Sequence, residues 1–373
     1  YRRTVAHNTL LVYRKGERFF WGENRWEAAN DGGQRMDSAR FWNTVRSLED
    51  WRRTGDLWDR GSLESLESAP GEYDYASGEG AHAYQPSKLE RFARELLYLP
   101  RADVVFLLDR VRVGSASDRK VWLLHGVSAP QVEGTARGIG QGGTSYGASS
   151  RFQFTDGGGR LVVHPILPVE RDVVARGGPG FEFWTPGDEF GGDWGSGRNW
   201  PLEPPEGGPL PADPYLKKMW LTFWGEEMKA LSPSNRRSVV PGGWRIEISP
   251  TRAARDDVFL NVLEIGDQGA TPKQIQPVLG YGLAGAAVGG DALVLAASRD
   301  EIESAEASVP DLATEALILT GLAPRALYEV QTTSAGAPGS PAFSTSAEAS
   351  AAGLIHIRWK ERDGRLRVRR LRR

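Results

Sequence analysis

Residues Val104 to Val111 read V-V-F-L-L-D-R-V, and Lys120 to His125 read K-V-W-L-L-H. Both are rich in β-branched, aromatic and aliphatic side chains, the residues that fit a pleated, half-buried surface. Runs of the same kind recur at Thr9 to Tyr13, Arg151 to Phe154, Arg160 to His164, Trp220 to Trp224, Trp244 to Ile248 and Val258 to Glu264. Between them lie turn clusters: N-D-G-G at Asn30 to Gly33, D-G-G-G at Asp156 to Gly159 and P-G-G at Pro241 to Gly243. Glycine there supplies a positive φ at little steric cost. Gly138 to Gly142 (G-I-G-Q-G) has no amphipathic helix after it and reads as a hairpin turn rather than a dinucleotide loop. Many short strands with few helical periods predict an all-β fold: a large antiparallel β-sandwich with a smaller C-terminal β unit.

We expect the sandwich to span 1–267. The Gly-, Ala- and Gln-rich stretch 268–290 reads as a linker, and 291–373 as a small β domain or an extension of the sandwich. Gly177 to Pro214 is crowded with Gly, Pro and Trp, which cannot sustain a ladder, so it is expected as a long loop. Its Trp184, Trp194 and Trp200 either pin the loop to the sandwich or form a stacking platform for sugar rings.

The chain has 373 residues, 40% hydrophobic and 25% charged, values that suit a globular protein with a sizeable core. It has no cysteine, which removes disulfides, thiolate metal sites and a cysteine nucleophile. A formal net charge of −2 gives no reason to expect nucleic acid. The tail from Arg358 to Arg373 alternates Leu366, Val368 and Leu371 with arginine. It reads as a last strand with a solvated outer face, or as a patch for a polyanion. No run is long and apolar enough for a membrane helix. Tyr1, in place of a methionine, leads straight into strand-like sequence, and the chain reads as part of a longer one. No G-x-S-x-G elbow, phosphate loop or H-E-x-x-H pair is present.

Five stretches taken in order carry a resemblance: Y-R-R-T-V-A-H-N-T-L-L-V (Tyr1 to Val12), N-D-G-G-Q-R (Asn30 to Arg35), A-Y-Q-P-S-K-L-E-R-F-A-R-E-L-L-Y-L (Ala83 to Leu99), and the two strands quoted first. In this order and spacing they resemble the C-terminal region of the heparinase II/III-like polysaccharide lyases, over about Tyr1 to Asp267. Members of that family look like an N-terminal α/α toroid followed by a β-sandwich, and cleave uronate-containing polysaccharides by β-elimination. The resemblance implies an acidic polysaccharide as partner, an upstream toroid in the same protein, and a periplasmic or secreted setting, where such polymers are met. It implies that the acid and base residues lie upstream of Tyr1.

It also implies that His7, in Ala-His-Asn, is one ligand of a zinc or similar divalent ion whose other ligands lie upstream, so that the site here is incomplete. The residue-level alternative is that His7 is hydrogen-bonded inside the sandwich. Arg2 and Arg3 are candidates for binding substrate carboxylates or sulfates, since guanidinium groups do so bidentately; a solvated strand start explains them as well. Asp109 and Arg110 are expected as a paired turn at a sandwich edge, because an unpaired buried charge is costly. His125 is expected at a strand end, His82 in a loop, and His164 and His356 in structural roles. The reading from a different class is a non-catalytic carbohydrate-binding or structural module, since sandwiches host lectins and enzymes alike.

Overall fold

In the computed structural model of the chain, residues 3–17, 19–21, 26–28, 31–34, 47–58, 60–85, 87–187, 197–199, 242–298, 302–333, 341–359 and 364–371 are described. The fold is all-β, with antiparallel pairing dominant. A six-stranded sheet runs in the order Leu10–Tyr13, Arg119–Gly126, Trp244–Pro250, Arg171–Gly177, Gly143–Ser145, Arg137–Gly140. An eight-stranded sheet has at its centre Leu89–Leu99, Val104–Val113, Asp256–Asp267 and Gly159–Leu167. A nine-stranded sheet is built wholly from strands between Ile275 and Arg370.

Each sheet buries alternate side chains against its neighbour, as a period of two requires. Leu10, Val12, Trp122, Leu124, Ile246 and Ile248 of the six-stranded sheet meet Phe92, Val111, Phe259 and Val163 of the eight-stranded one. The opposite face of the eight-stranded sheet, including Leu97, Phe106, Leu260 and Val262, packs on Ala284, Ala286, Val294 and Ile318 of the nine-stranded sheet. The nine-stranded sheet curls over a core of its own around Leu295, Leu317, Tyr328, Trp359 and Val368. The central sheet is therefore covered on both sides, and its strands are the apolar runs most visible in the sequence.

The stretch 268–290, expected as a linker, carries two strands, Ile275–Tyr281 and Leu283–Val288. Composition misleads here because Leu283–Val288 is buried at every position and is crowded by the next strand. A Cβ on Gly285 would fall 1.8 Å from the Val294 carbonyl oxygen, so only the smallest residue fits. Gly280 serves a related purpose. Residues Ile275 to Leu279 pair with Leu283–Val288, whereas Gly280 and Tyr281 pair with Ser304–Val309, so one strand joins both halves of the sheet. A Cβ at Gly280 would stand 2.1 Å from the Glu306 carbonyl oxygen at that junction.

Asp109 and Arg110 do not form a turn. They sit within strand Val104–Val113 at the centre of the eight-stranded sheet, one on each face. The pairing expected of them is present: Asp109 meets Arg94, and Arg110 meets Glu95 and donates to the Ala297 carbonyl at 2.6 Å. One helix escaped the sequence reading, Leu48–Trp58. Its start is conventional, since Ser47 Oγ accepts the Asp50 N–H at 3.0 Å and Glu49 and Asp50 lie in the first turn. The hairpin expected at Gly138 to Gly142 is there, Arg137–Gly140 pairing with Gly143–Ser145. The run Trp220 to Trp224 lies outside the described residues. No helix of the described residues is long and apolar enough to cross a membrane.

Candidate functional site around Asn8 and His125

The A-H-N-T stretch begins with a 3-10 turn, Thr4–Ala6, closed by the His7 N–H on the Thr4 carbonyl at 3.0 Å. The chain then extends, and the Thr9 carbonyl accepts the Leu123 N–H at 2.9 Å, carrying the Leu10–Tyr13 ladder beyond its formal end. This register sets Asn8 beside His125. Asn8 Oδ1 accepts the His125 backbone N–H at 2.8 Å and lies 3.1 Å from His125 Nδ1, while Nε2 is 2.9 Å from the Val5 carbonyl oxygen. Both ring nitrogens face oxygens, which invites a second proton. Burial outweighs that invitation, and the Arg245 cation adds to it, so the pKa falls to about 4 despite the pull of the Val5 carbonyl. The neutral ring then donates from Nε2 to Val5, the shorter of the two contacts.

Beneath this clamp lies a buried ion pair. Arg94 Nε and Nη2 each donate to a different oxygen of Asp109 at 2.7 Å, and Nη1 donates to the Asn8 carbonyl at 2.8 Å. Asp109 is 0% exposed, so the bidentate partner is what makes its charge tolerable. Burial works against the Arg94 charge, but Asp109 outweighs it and leaves the pKa above its ordinary value. Tyr84 OH donates to the Leu10 carbonyl at 2.5 Å, tying the A-Y-Q-P stretch to the same spot; its pKa is raised chiefly by burial.

The face of the six-stranded sheet that carries His125 holds a second buried group, with Arg245 opposite His125 in register. Arg245 Nε donates to Glu247 Oε1 at 2.9 Å, and Arg176 Nε lies 3.3 Å from the same oxygen. Burial would raise the Glu247 pKa, yet the two guanidiniums hold it below the carboxylate range. Arg245 also donates to the Glu182 and Trp184 carbonyls, which fixes the segment leading to Thr185. Thr185 Oγ1 donates to Asp31 Oδ1 at 3.0 Å, and Arg3 Nη1 to Asp31 Oδ2 at 2.8 Å. Tyr13 is buried among these charges and its pKa stands well above the ordinary value, first through burial and then through Glu247. Such a phenol is a poor base.

No family model matches the chain, and no curated protein matches it. Among solved structures it is similar to a heparinase III crystal structure, at 9% identity and a TM-score of 0.33, covering 66% of this chain and 25% of that one. It is also similar to a heparinase III gene product with methylated lysines, at 8% identity and a TM-score of 0.31, covering 91% and 34%. At those TM-scores the likeness carries no argument about chemistry. The chain spans 25% and 34% of the two structures' lengths.

Of the residues singled out in the sequence, His7 is exposed, and its imidazole has no hydrogen bond among the described residues. It stands next in the chain to Asn8, the residue that meets His125. Among the described residues no group of three His, Asp or Glu side chains could hold a metal ion, so the donor set for a zinc at His7 is not assembled by them. Arg3 is engaged by Asp31, and Arg2 lies outside the described residues. Trp184 packs edge-on against Phe181 at 5.6 Å with its carbonyl held by Arg245, which favours the pinning role; Trp194 and Trp200 lie outside the described residues. His82 sits in the 3-10 turn Ala81–Ala83, His164 within strand Gly159–Leu167, and His356 edge-on to Tyr73.

Sequence reasoning missed Arg94 and the Arg245–Glu247–Arg176 group. A signal for the first existed: Arg94 and Asp109 both fall in the phase of their strands that holds Phe92 and Val111, where a charge needs a partner.

Proposed function

We propose that this chain is the β-sheet portion of a lyase that cleaves uronate-containing acidic polysaccharides by β-elimination. One observation carries the reading. The separate motifs behind the family resemblance converge in space: Asn8 on His125, Arg94 on both Asp109 and the Asn8 carbonyl, and Tyr84 on the Leu10 carbonyl. Motifs that merely recur in strands have no reason to meet around one asparagine.

In such a reaction a base removes the proton on C5, beside the uronate carboxylate. The electron pair forms the C4–C5 double bond, the C4–O bond breaks, and an acid protonates the departing glycosidic oxygen. Neutralising the carboxylate stabilises the charge that develops. In this chain His125 and Tyr13 are committed to holding structure, and His7 is the exposed group placed on the clamp to meet a uronate. The acid and base expected from the resemblance belong to an upstream toroid of the same protein, in an extracytoplasmic enzyme.

The test is near-ultraviolet absorbance of unsaturated uronate, with heparin, heparan sulfate, hyaluronan, chondroitin and alginate as substrates. It is run on this chain and on the gene extended upstream. Signal from the extended protein, lost in His7→Ala, supports the reading; no signal from either on any substrate overturns it. The commitment of His125 and Tyr13 to structure favours a second reading, a carbohydrate-binding module without chemistry, which would bind these polymers and leave them intact.

A further inference from the structure

The arginine-rich tail forms strand Gly364–Arg370, with Leu366 and Val368 buried in the core of the nine-stranded sheet. Alternation then sends Arg365, Arg367 and Arg369 outward, with side chains 60%, 53% and 64% exposed. Successive arginines on one face of a strand stand about 6.7 Å apart. The strand is interior to its sheet, lying between Ser304–Val309 and Leu327–Thr333, so the row runs down the middle of a polar surface and not along an edge.

Carboxylates interleave with this row. Arg367 Nε meets Glu306 Oε1 at 2.8 Å, and Arg369 Nη2 meets Glu329 Oε2 at 2.7 Å. A groove of about 260 Å³ opens among Ser304, Glu306, Glu329, Gln331, Arg367 and Arg369. On the neighbouring strand Tyr281, opposite Glu306 in register, is 64% exposed.

We propose that this face is a binding surface for an acidic polysaccharide chain, separate from the Asn8–His125 site. The arrangement suits that ligand better than a nucleic acid. Duplex DNA presents one charge per roughly 1.7 Å of axis, and interleaved glutamates would oppose it. A uronate or sulfated glycan has widely spaced anions separated by hydroxyls. The arginines bind the anions bidentately, the glutamates and Gln331 take the hydroxyls, and Tyr281 offers a ring face to a sugar. The inference rests on the proposed function only for the class of ligand, since binding here requires no cleavage.

The test is affinity electrophoresis and surface binding with immobilised heparin and alginate, using the full chain. The variants are Arg365→Ser/Arg367→Ser/Arg369→Ser and a charge-matched control, Arg101→Ser/Arg112→Ser/Arg252→Ser. A loss of tenfold or more in the first, with the control within twofold of wild type and no binding to neutral dextran, is the expected result. Should the triple variant fail to fold, the single variants Arg367→Gln and Tyr281→Ala are each expected to weaken binding threefold or more. Equal loss in both triple variants, no loss in the ladder variant, or equal affinity for duplex DNA overturns the proposal. Lyase activity is scored separately, so its absence leaves this binding result readable on its own.

Discussion

Asn8 Oδ1 accepts the backbone N–H of His125 at 2.8 Å, across 117 residues of sequence. Asn8→Ala removes the acceptor and leaves that N–H to solvent. A loss of about 0.5–1 kcal/mol is expected in chemical denaturation. Asn8→Asp keeps an oxygen in place and is expected to recover most of it.

The pH dependence of stability follows from His125. Its folded pKa, about 4, lies below the ordinary histidine value, so the unfolded chain binds the extra proton first as pH falls. The folded state is therefore at full strength above the unfolded value and loses stability as pH drops toward 4. His164 is shifted the same way, chiefly by burial, and contributes alongside. Urea titrations between neutrality and this range are expected to show a smaller pH slope for His125→Gln than for wild type. Identical slopes would remove His125 from the account.

Arg94→Ala strands the Asp109 carboxylate, which is 0% exposed, and is expected to cost about 3–5 kcal/mol. Arg94→Lys is expected to recover only part, since one ammonium cannot make both hydrogen bonds of the guanidinium fork. Thermal unfolding of the two variants checks the order.

Between the eight- and nine-stranded sheets, Arg110 and Glu95 are buried together. Arg110→Met alone is expected to cost about 3–5 kcal/mol, because it leaves Glu95 charged and unpaired. Adding Glu95→Leu is expected to regain stability. A double variant weaker than the single one would contradict this.

Gly285→Ala is expected to be among the most damaging single-methyl changes in the molecule. The new carbon would overlap the Val294 carbonyl oxygen, and relief requires two paired strands to part. A fall of about 1–3 kcal/mol or more in the free energy of unfolding is expected in chemical denaturation.

The strands were legible because their signal is local. Val104–Val113, Arg119–Gly126 and Gly364–Arg370 each state their buried phase in their own residues. Leu283–Val288 was not legible, since a strand that must be small on both faces looks like a loop by composition. Helix Leu48–Trp58 was missed although Ser47 marks its start, because the strand-rich surroundings set the expectation. At the site, the motif singled out His7 as a metal ligand, and the described residues bring no further ligand to it. What His125 does was not legible, because its partners Asn8 and Val5 are brought to it by strand register, and register is a property of two distant segments together.

The nine-stranded sheet has one further consequence, for the order in which the protein is assembled. Ser304–Val309 and Leu327–Thr333 do not pair with each other; Gly364–Arg370 lies between them and pairs with both. Until that strand emerges from the ribosome, each of the two earlier ones offers an open row of amides and carbonyls to any passing chain. The nascent protein is thus most prone to self-association in the interval before Gly364–Arg370 is made, and the arginines that arrive with that strand bring both closure of the sheet and a charge that repels other copies.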